Sequence, residues 1–308
     1  MLTYFLRRDS ADKLTKQTDF TPGTWIHVET PTKDEIDTLV GRFDLDRDLI
    51  ADALDPDEIP RLEKEGNHLY LFMRRASRTD EMITTSPVVL VIAKDFVVSL
   101  SSTPILELSR PEVTPELITS DQPRLILALA GILLKTYEQN VNHLTRSIRA
   151  VRTKLTAASI SNRDFVRFVV IEDSLNEFLS DLVPFGTMFG NVLTGRHRIT
   201  INEDDHDHAE DLLQNTQQLI DTTRGALKTI VNIREAYSNI MTNDLNRQMK
   251  LLTSLTVVLT IPTMLFSLYG MNVPLPGQTS SLSFHVIVGG AVLVCALIIY
   301  MLFRRKWL

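Results

Sequence analysis

Charged side chains are missing from one long stretch near the C-terminus of this sequence. No Asp, Glu, Lys or Arg occurs at positions 251–303, whereas 67 of the 70 charged residues lie in the first 250 positions. The stretch holds two apolar runs, at 251–268 and 282–303. Each run has about the 20 residues that an α-helix needs to cross a membrane core of ~30 Å. The pattern predicts two membrane spans and argues against a chain that is soluble throughout.

Cysteine is also scarce, since Cys295 is the single one in 308 residues. One cysteine excludes an intrachain disulfide, which fits a soluble part that faces the cytoplasm. The formal net charge of -6 argues against a nucleic-acid partner. The N-terminus has a basic pair after a short apolar stretch, which is not the order of a secretory signal. A P-loop motif is absent as well, so the sequence does not indicate transport driven by ATP.

Basic residues flank the two predicted spans and predict how they cross the membrane. Arg247 and Lys250 precede the first span, and the link between the spans carries no charge. The second span is followed by Arg304, Arg305 and Lys306. Because basic residues stay on the cytoplasmic side, we expect both termini in the cytoplasm and the link outside the cell. The pattern predicts a multi-pass protein of the plasma membrane, with the lipid bilayer as one partner.

The first part of the chain predicts a mixed α and β domain. Short segments rich in aromatic and branched residues indicate strands at 2–6, 25–29, 68–74, 88–93 and 96–101. Lys94 and Asp95 indicate a hairpin between the last two strands. A helix is predicted over 32–43, with Thr32 as its N-cap and Glu35 three residues later. Another helix is predicted over 46–54.

Three long helices are predicted after Pro123. The first runs to 158, the second from 162 to about 185 or on to 193, and residues 194–196 form a turn. The third starts near Asn202 or Glu203 and continues into the first span, interrupted by no proline before Pro262. A helix of about 66 residues is ~100 Å long. The pattern predicts a stalk that carries the first span out of the cytoplasm.

Small and polar residues repeat along the first span with heptad spacing. Two series interleave. The first is Asn246, Thr253, Thr260 and Ser267, and the second is Met249, Thr256, Thr263 and Gly270. We call these eight positions the seam. They hold nearly every polar or small residue of the span, with Ser254 and Pro262 as exceptions. Alternating steps of three and four residues keep the seam on one face of a helix.

The seam has two interpretations. Small and hydroxyl residues are typical of contacts between membrane helices, where Ser and Thr hydrogen-bond across the interface. Alternatively, several copies of the span surround a water-filled axis and the hydroxyl groups line it. The seam alone favours packing, whereas the stalk, the uncharged link and Asn272 at the end of the span together favour a pore. Two helices cannot enclose a pore, so the second interpretation requires a homo-oligomer with the first span innermost.

The sequence Tyr269-Gly-Met-Asn272 at the end of the first span, a second span and the basic C-terminus resemble the CorA family of divalent-cation channels. Residues 52–63 resemble a stretch of that family's cytoplasmic domain, and the resemblance covers the whole chain. It implies an α+β cytoplasmic domain, a long α-helical stalk and two transmembrane helices, assembled as a funnel-shaped homopentamer. It also implies that Gly270, Met271 and Asn272 form the extracellular selectivity entrance.

The predicted pore lining combines the seam with the positions that the resemblance implies. Family pore-facing positions fall on Asn246, Leu252, Thr260, Thr263 and Asn272. The predicted lining residues are Asn246, Met249, Leu252, Thr253, Thr256, Thr260, Thr263 and Ser267. Met249 and Leu252 lie near the cytoplasmic interface and predict an apolar gate that closes by dewetting. Ordinary packing at a helix crossing is the alternative.

The predicted organisation follows from these features. In chain order it comprises a cytoplasmic α/β domain (1–120), long cytoplasmic helices (121–201), the stalk (202–250), the pore-lining span (251–270), the extracellular link (271–281), the second span (282–303) and a basic tail (304–308). The resemblance implies a channel, not an enzyme, that admits Mg2+ and also Co2+ or Ni2+. We expect influx driven by the membrane potential and gated by cytoplasmic Mg2+. Mg2+ is then both substrate and regulatory ligand, and no cofactor is expected.

An acidic segment opens the stalk. Its members are Glu203, Asp204, Asp205, Asp207, Glu210 and Asp211. Acidic residues stabilise a helix N-terminus, which is one interpretation. His206 and His208 suggest a transition-metal site, although residues two apart do not share a helix face. The resemblance implies a regulatory Mg2+ site between subunits at Asp211, with Asp207, Asp204 and Asp80 as further candidate ligands.

Two other functions compete with a magnesium channel. One is a Zn2+ transporter of the ZntB type, although such relatives often alter the methionine that is intact here as Met271. The other is a membrane-anchored cytoplasmic adaptor or enzyme. Positions 1–200 contain no nucleophile–base or metal-ligand motif, and an anchor needs no hydroxyl seam.

The chemistry of Mg2+ suits the predicted entrance. Mg2+ loses its water reluctantly, and a ring of Asn272 carbonyl groups can accept hydrogen bonds from its water shell.

Overall fold

The computed structural model describes residues 2–9, 11–79, 82–108, 111, 117–156, 162–193, 203–273, 277 and 281–305. The chain divides into two compact units, Met1–Val231 and Asn232–Leu308. The first unit holds a β-sheet with its helices. The second holds the two apolar helical segments.

A seven-stranded mixed sheet forms the centre of the first unit. Its strands are β1 (Leu2–Leu6), β2 (Thr15–Gln17), β3 (Thr24–Glu29), β4 (Arg61–Glu65), β5 (His68–Thr79), β6 (Met82–Ile92) and β7 (Phe96–Ser101). Their order is β2-β1-β3-β7-β6-β5-β4. Strands β3 and β7 are parallel, with Ile26 opposite Val98, and the other neighbours are antiparallel.

All five predicted strands are confirmed, as is the β6–β7 hairpin at Lys94 and Asp95. Two strands are longer than predicted. β5 continues to Thr79, and β6 begins already at Met82 and includes Pro87. Proline has no N–H to donate to a neighbouring strand. Here this is tolerated, because β7 pairs with β6 only from Val88 onward. Pro87 therefore lies where β6 has no neighbour on that side. The short strand β2 and the charged strand β4 were not predicted, and both lie at the edges of the sheet.

Two short helices cover one face of the sheet. Helix α1 (Lys33–Phe43) begins with the predicted capping box, in which Thr32 and Glu35 each bond the other's backbone N–H through their side chains. Helix α2 (Arg47–Asp52) begins at the N-cap Asp46. Both bury apolar side chains in one cluster with the sheet, among them Leu39, Phe43, Ile50, Tyr70, Phe72 and Val98.

Four long helices follow the sheet: α3 (Gln122–Thr156), α4 (Asn162–Leu193), α5 (Glu203–Tyr269) and α6 (Ser281–Arg304). The prediction of three long helices before the second span is confirmed, and α5 is continuous over 67 residues. The predicted turn at 194–196 lies outside the described residues.

A buried polar network joins α3 and α4 to the sheet. The Tyr137 hydroxyl donates to Asp181 Oδ2 at 2.9 Å, and Arg74 Nε lies 3.4 Å from Asp181 Oδ1. Thr85 donates to Glu177 through its backbone N–H and its hydroxyl, at 2.8 and 2.7 Å. Burial raises the pKa of Asp181 to about 6, although Arg74 opposes the rise. Burial also raises the pKa of Tyr137 well above its usual value, so Tyr137 remains a donor.

Candidate ion pathway

Two helices are long and apolar enough to cross a membrane. The spans are found within Asp205–Tyr269 and Leu282–Arg304, where the most apolar windows have mean hydropathies of 1.9 and 2.8. Only 6% of each window is buried within the chain. A core helix of a soluble protein would be mostly buried, so these apolar surfaces require cover from lipid or from other chains.

One face of α5 packs against α6 in the second unit. The least exposed positions of the α5 span include Ser254, Val258, Ile261 and Leu265, which recur every three or four residues. On α6, Ala291 is 3% exposed and Cys295 is half-buried. The Cys295 thiol donates to the Val258 carbonyl at 3.5 Å, which fixes the facing sides of the two helices.

Proline explains why the Val258 carbonyl accepts this bond. In an α-helix that carbonyl would accept the N–H of residue 262, four positions later, but Pro262 has no N–H. A carbonyl without a partner in an apolar environment is costly. The thiol of Cys295 therefore supplies a donor where Pro262 removes one.

The seam lies on the opposite side of α5 from α6. At 100° per residue, the centre of the seam is about half a turn away from the row that contains Ser254 and Val258. The predicted pore-lining residues, which differ from the seam by including Leu252 instead of Gly270, are all exposed. They are Asn246, Met249, Leu252, Thr253, Thr256, Thr260, Thr263 and Ser267. Ser254, a hydroxyl residue outside the seam, is 2% exposed. The packing between α5 and α6 thus leaves the seam uncovered.

Three of the four threonine hydroxyls of the seam share one orientation. Thr256, Thr260 and Thr263 each donate to the backbone carbonyl four residues earlier, at 2.9, 2.7 and 2.8 Å. A hydroxyl that donates its hydrogen in this way still has lone pairs that accept hydrogen bonds. The row therefore presents acceptors, which suit the hydrogen atoms of water around a cation.

The predicted entrance lies where α5 ends. The N–H of Gly270 donates to the Phe266 carbonyl at 2.9 Å, and a Cβ at Gly270 would lie 3.3 Å from that same oxygen. The close approach favours glycine at this position. Met271 is 49% exposed, and Asn272 is also exposed.

The acidic candidates are only partly brought together. Asp207 and Asp211 are exposed on α5, whereas Asp80 and the side chain of Asp204 lie outside the described residues. Asp211 lines a cavity of about 210 Å³ between α3 and α5, together with Asp205, His208 and Arg124. Within the described part of the chain, no three His, Cys, Asp or Glu side chains form a group that could hold a metal ion.

Among the residues that the structure describes, His206 and His208 belong to no group of three side chains that could hold a metal ion. His206 instead pairs with Glu210 one turn later on α5, with 3.4 Å between Nδ1 and Oε1. Both side chains are at least half exposed, and such surface pairs contribute little to stability.

Comparison with known proteins decides the family. The sequence pattern of the family described as CorA-like Mg2+ transporter protein matches residues 23–305. The chain belongs to this family. Its members are divalent-cation transporters and not enzymes, so membership supports a transporter over the anchored enzyme or adaptor. The cobalt/magnesium transport protein CorA of Methanocaldococcus jannaschii is 26% identical over 299 residues, covering 92% of this chain and 91% of that protein.

Solved structures share the fold. The complete CorA magnesium transporter of Methanocaldococcus jannaschii matches with a TM-score of 0.86 at 20% identity, over 100% of this chain and 99% of that one. The cytoplasmic domain of ZntB from Vibrio parahaemolyticus matches with a TM-score of 0.64 at 9% identity, over 78% of this chain and 98% of that one. The ZntB likeness is more distant and concerns the cytoplasmic fold alone.

Sequence reasoning missed the bond between Cys295 and Val258. A signal for it exists, because the two residues lie about equally far from the link between the spans and a helical hairpin brings such positions together. The buried network of Arg74, Tyr137 and Asp181 was also missed, and no spacing in the sequence indicates it.

Proposed function

We propose that the chain forms a Mg2+ influx channel in the plasma membrane, with both termini in the cytoplasm. Five copies surround a pore lined by the α5 spans, and the α6 spans form an outer ring. One observation carries the proposal: the hydroxyl seam lies on the face of α5 opposite α6. A ring of such hairpins, with α6 outermost, turns every seam toward the common axis.

Hydrated Mg2+ fits the chemistry of this pathway. Mg2+ binds its water tightly, so passage is easiest where the wall accepts hydrogen bonds from that water. The amide carbonyl of Asn272 and the hydroxyl oxygens of Thr256, Thr260 and Thr263 are such acceptors. No carboxylate lies in the spans to hold a divalent ion too tightly for release. Two charges gain ~4.6 kcal/mol per 100 mV of membrane potential, which is enough to drive influx.

Two further features regulate flux in this proposal. Rings of Met249 and Leu252, which are 53% and 59% exposed in the single chain, form an apolar gate near the cytoplasmic side. Cytoplasmic Mg2+ binds between subunits at Asp211, with Asp207, Asp204 and Asp80 as further candidate ligands. Bound metal screens the repulsion between carboxylates and holds the gate closed, so influx stops once internal Mg2+ is sufficient.

Flux into liposomes tests the proposal. Purified protein is reconstituted with a Mg2+-sensitive dye inside, and a potassium gradient with valinomycin sets the potential. We expect Mg2+ entry that increases with inside-negative potential and falls at least about fivefold in Asn272→Ala, the loss expected for about 1 kcal/mol at the entrance. Val273→Ala, one residue further along the chain, is the matched control. Equal flux in Asn272→Ala and wild type would contradict the assignment of the entrance.

Ion competition separates the magnesium channel from a ZntB-type transporter. Co2+, Ni2+ and Zn2+ are added in turn outside the liposomes while Mg2+ entry is recorded. We expect Co2+ and Ni2+ to compete with Mg2+. Zn2+ uptake without Mg2+ uptake would favour the zinc alternative.

A further inference from the structure

A methionine is exposed at the end of the two longest strands of the sheet. Strand β4 pairs with β5 only up to Phe72, and β7 pairs with β6 only from Val88. The outer parts of β5 and β6 therefore form a two-stranded ribbon beyond their neighbours. Met82 is the first residue of β6, at the end of this ribbon, and is 63% exposed. Single exposed apolar residues are common, so Met82 is informative only if a matching surface exists.

The first unit contains an apolar pocket of matching size. It lies between α3 and α5, has a volume of about 210 Å³ and is lined by Leu127, Ala128, Gly131 and Leu212 among others. A Cβ added at Gly131 would meet no side chain and no other segment within 4 Å, so the wall is open there. An apolar cavity of ~150 Å³ holds a benzene molecule, so this pocket has room for a methionine side chain. Methionine is unbranched and flexible, which suits a pocket of irregular shape.

Met82 does not reach the pocket of its own chain. It pairs with Thr79, next to Arg78, at the end of the ribbon. Burial lowers the pKa of His143 on α3, and the charge of Arg78 lowers it further, so this end of the ribbon lies beside His143. The part of α3 that lines the pocket ends at Gly131, and the 12 helical residues from there to His143 span ~18 Å. A methionine in the pocket therefore has to come from a second copy of the chain.

The two surfaces carry opposite charges. Three exposed arginines lie around the end of the ribbon, close to His143, and they are Arg78, Arg146 and Arg167. Four carboxylates lie on the part of α5 that lines the pocket, and they are Asp205, Asp207, Glu210 and Asp211. Arg124 is the one basic side chain in the described lining. Opposite charges favour the encounter of the two surfaces and fix their orientation.

We propose that Met82 of one subunit docks in the pocket between α3 and α5 of the next subunit. The contact joins two different surfaces, so it is heterologous and can close into a ring when it repeats around an axis. This inference rests on the proposed channel, which needs several copies, and it names one contact that joins them. Asp80 precedes Met82 by two positions and Asp211 lines the pocket, so docking also brings candidate ligands of the regulatory metal toward one interface.

Crosslinking of the full chain in liposomes tests the contact. A short bismaleimide is added to a variant with Thr84→Cys and Asn215→Cys. Thr84 is exposed two residues after Met82 on the same face of β6, and Asn215 is an exposed residue of the pocket lining. We expect linked products of up to five chains, because every chain carries both halves of the contact.

A second cysteine pair is the matched control for this experiment. Ile59→Cys with Asn215→Cys places the partner cysteine at a site that is 66% exposed in the same unit but outside the ribbon. This pair should give few linked chains. No linkage between chains in the Thr84 pair, or equal linkage in both pairs, would overturn the proposal.

Two further substitutions show whether Met82 and the pocket carry the contact. Met82→Ser removes the docked side chain, and Gly131→Leu fills the pocket while favouring the helix. Each should lower the initial rate of linkage in the Thr84 pair at least about tenfold, the change expected when an apolar side chain loses its burial. Ile59→Ser and Gly41→Leu are the matched controls, since a Cβ at Gly41 on α1 also meets nothing within 4 Å. Unchanged linkage in both Met82→Ser and Gly131→Leu would contradict the docking.

The outcome is separable from transport. Linked chains in protein that shows no Mg2+ flux would support the contact and contradict the channel. Mg2+ flux without linkage in the Thr84 pair would overturn the contact and leave the channel proposal standing.

Discussion

Two hydroxyl residues of the first span, Thr260 and Ser254, differ in what their side chains can contact. Thr260 is exposed on the seam and donates to the Thr256 carbonyl, whereas Ser254 is buried toward α6 and its hydroxyl has no partner among the described residues. The two residues have similar chemistry and opposite placement. In the proposed central pore, Thr260 would contact hydrated ions and Ser254 would not.

Replacing these hydroxyls one at a time tests that difference. Thr260→Val keeps the shape of the side chain and removes one acceptor from each subunit. We expect at least about fivefold lower Mg2+ flux into liposomes, corresponding to about 1 kcal/mol for one hydrogen bond. Ser254→Ala removes a hydroxyl from the opposite face and should leave flux unchanged. A larger effect of Ser254→Ala than of Thr260→Val would place the pathway on the other side of α5.

Asp181 should make folding stability depend on pH. Burial raises its pKa from 3.8 to about 6, so the folded chain holds this proton more tightly than the unfolded chain. Stability from this group is therefore greatest below about pH 4 and falls as the pH rises to about 6, by up to about 3 kcal/mol. Asp181→Asn should flatten the melting temperature of the full chain over that range. An unchanged pH profile would show that Asp181 ionises normally.

At the scale of elements, the contact between α5 and α6 includes a hydrogen bond that replaces one missing from α5. Pro262 frees the Val258 carbonyl and Cys295 supplies a donor to it. This bond fixes the register of α5 against α6 at that point. Because the contact uses the face opposite the seam, it leaves the seam side of α5 uncovered by α6.

A double-mutant cycle measures this coupling. Cys295→Ala should lower the free energy of unfolding by about 1 kcal/mol, because the Val258 carbonyl loses its partner. In a Pro262→Ala background, the new N–H at position 262 satisfies that carbonyl, so the same cysteine substitution should cost much less. Unfolding of the full chain in mixed micelles provides the measurement. Equal costs in the two backgrounds would mean that the thiol does not replace the missing helical bond.

At the scale of the whole molecule, assembly decides whether the seam can line a pore. A pore needs several copies, and the exposed apolar surface of both spans agrees with cover from lipid and neighbouring subunits. Native mass measurement of the purified protein should give five chains per particle. A stable monomer or dimer that still conducts Mg2+ would exclude the central pore.

The proposed regulation by internal Mg2+ requires the assembled subunits, because the metal is proposed to bind between them. Asp211→Lys replaces a proposed ligand with a positive charge and should raise the internal Mg2+ that halves flux about tenfold. Glu210→Lys makes the same charge change one residue earlier, on a side chain that pairs with His206. Inhibition should remain near the wild-type level in that control. Equal inhibition in wild type and Asp211→Lys would place the sensor elsewhere.

Several elements were predictable because their signals are local. The capping box of Thr32 and Glu35 marks the start of α1, and the long runs without proline predict α3, α4 and α5. The paired strands β2 and β1 illustrate the limit. β2 has three polar residues and forms only by pairing with β1, so its own sequence gives no signal.

The sequence by itself determined the two apolar spans, the long helices and the periodic seam, because each depends on residues a few positions apart. Tertiary structure alone decided the parallel pairing of β3 with β7, the burial of Ser254 and the pocket between α3 and α5. These features depend on which distant segments meet. Hydropathy and helical period act along the chain, whereas burial and hydrogen-bond partners are set only when separate elements pack together.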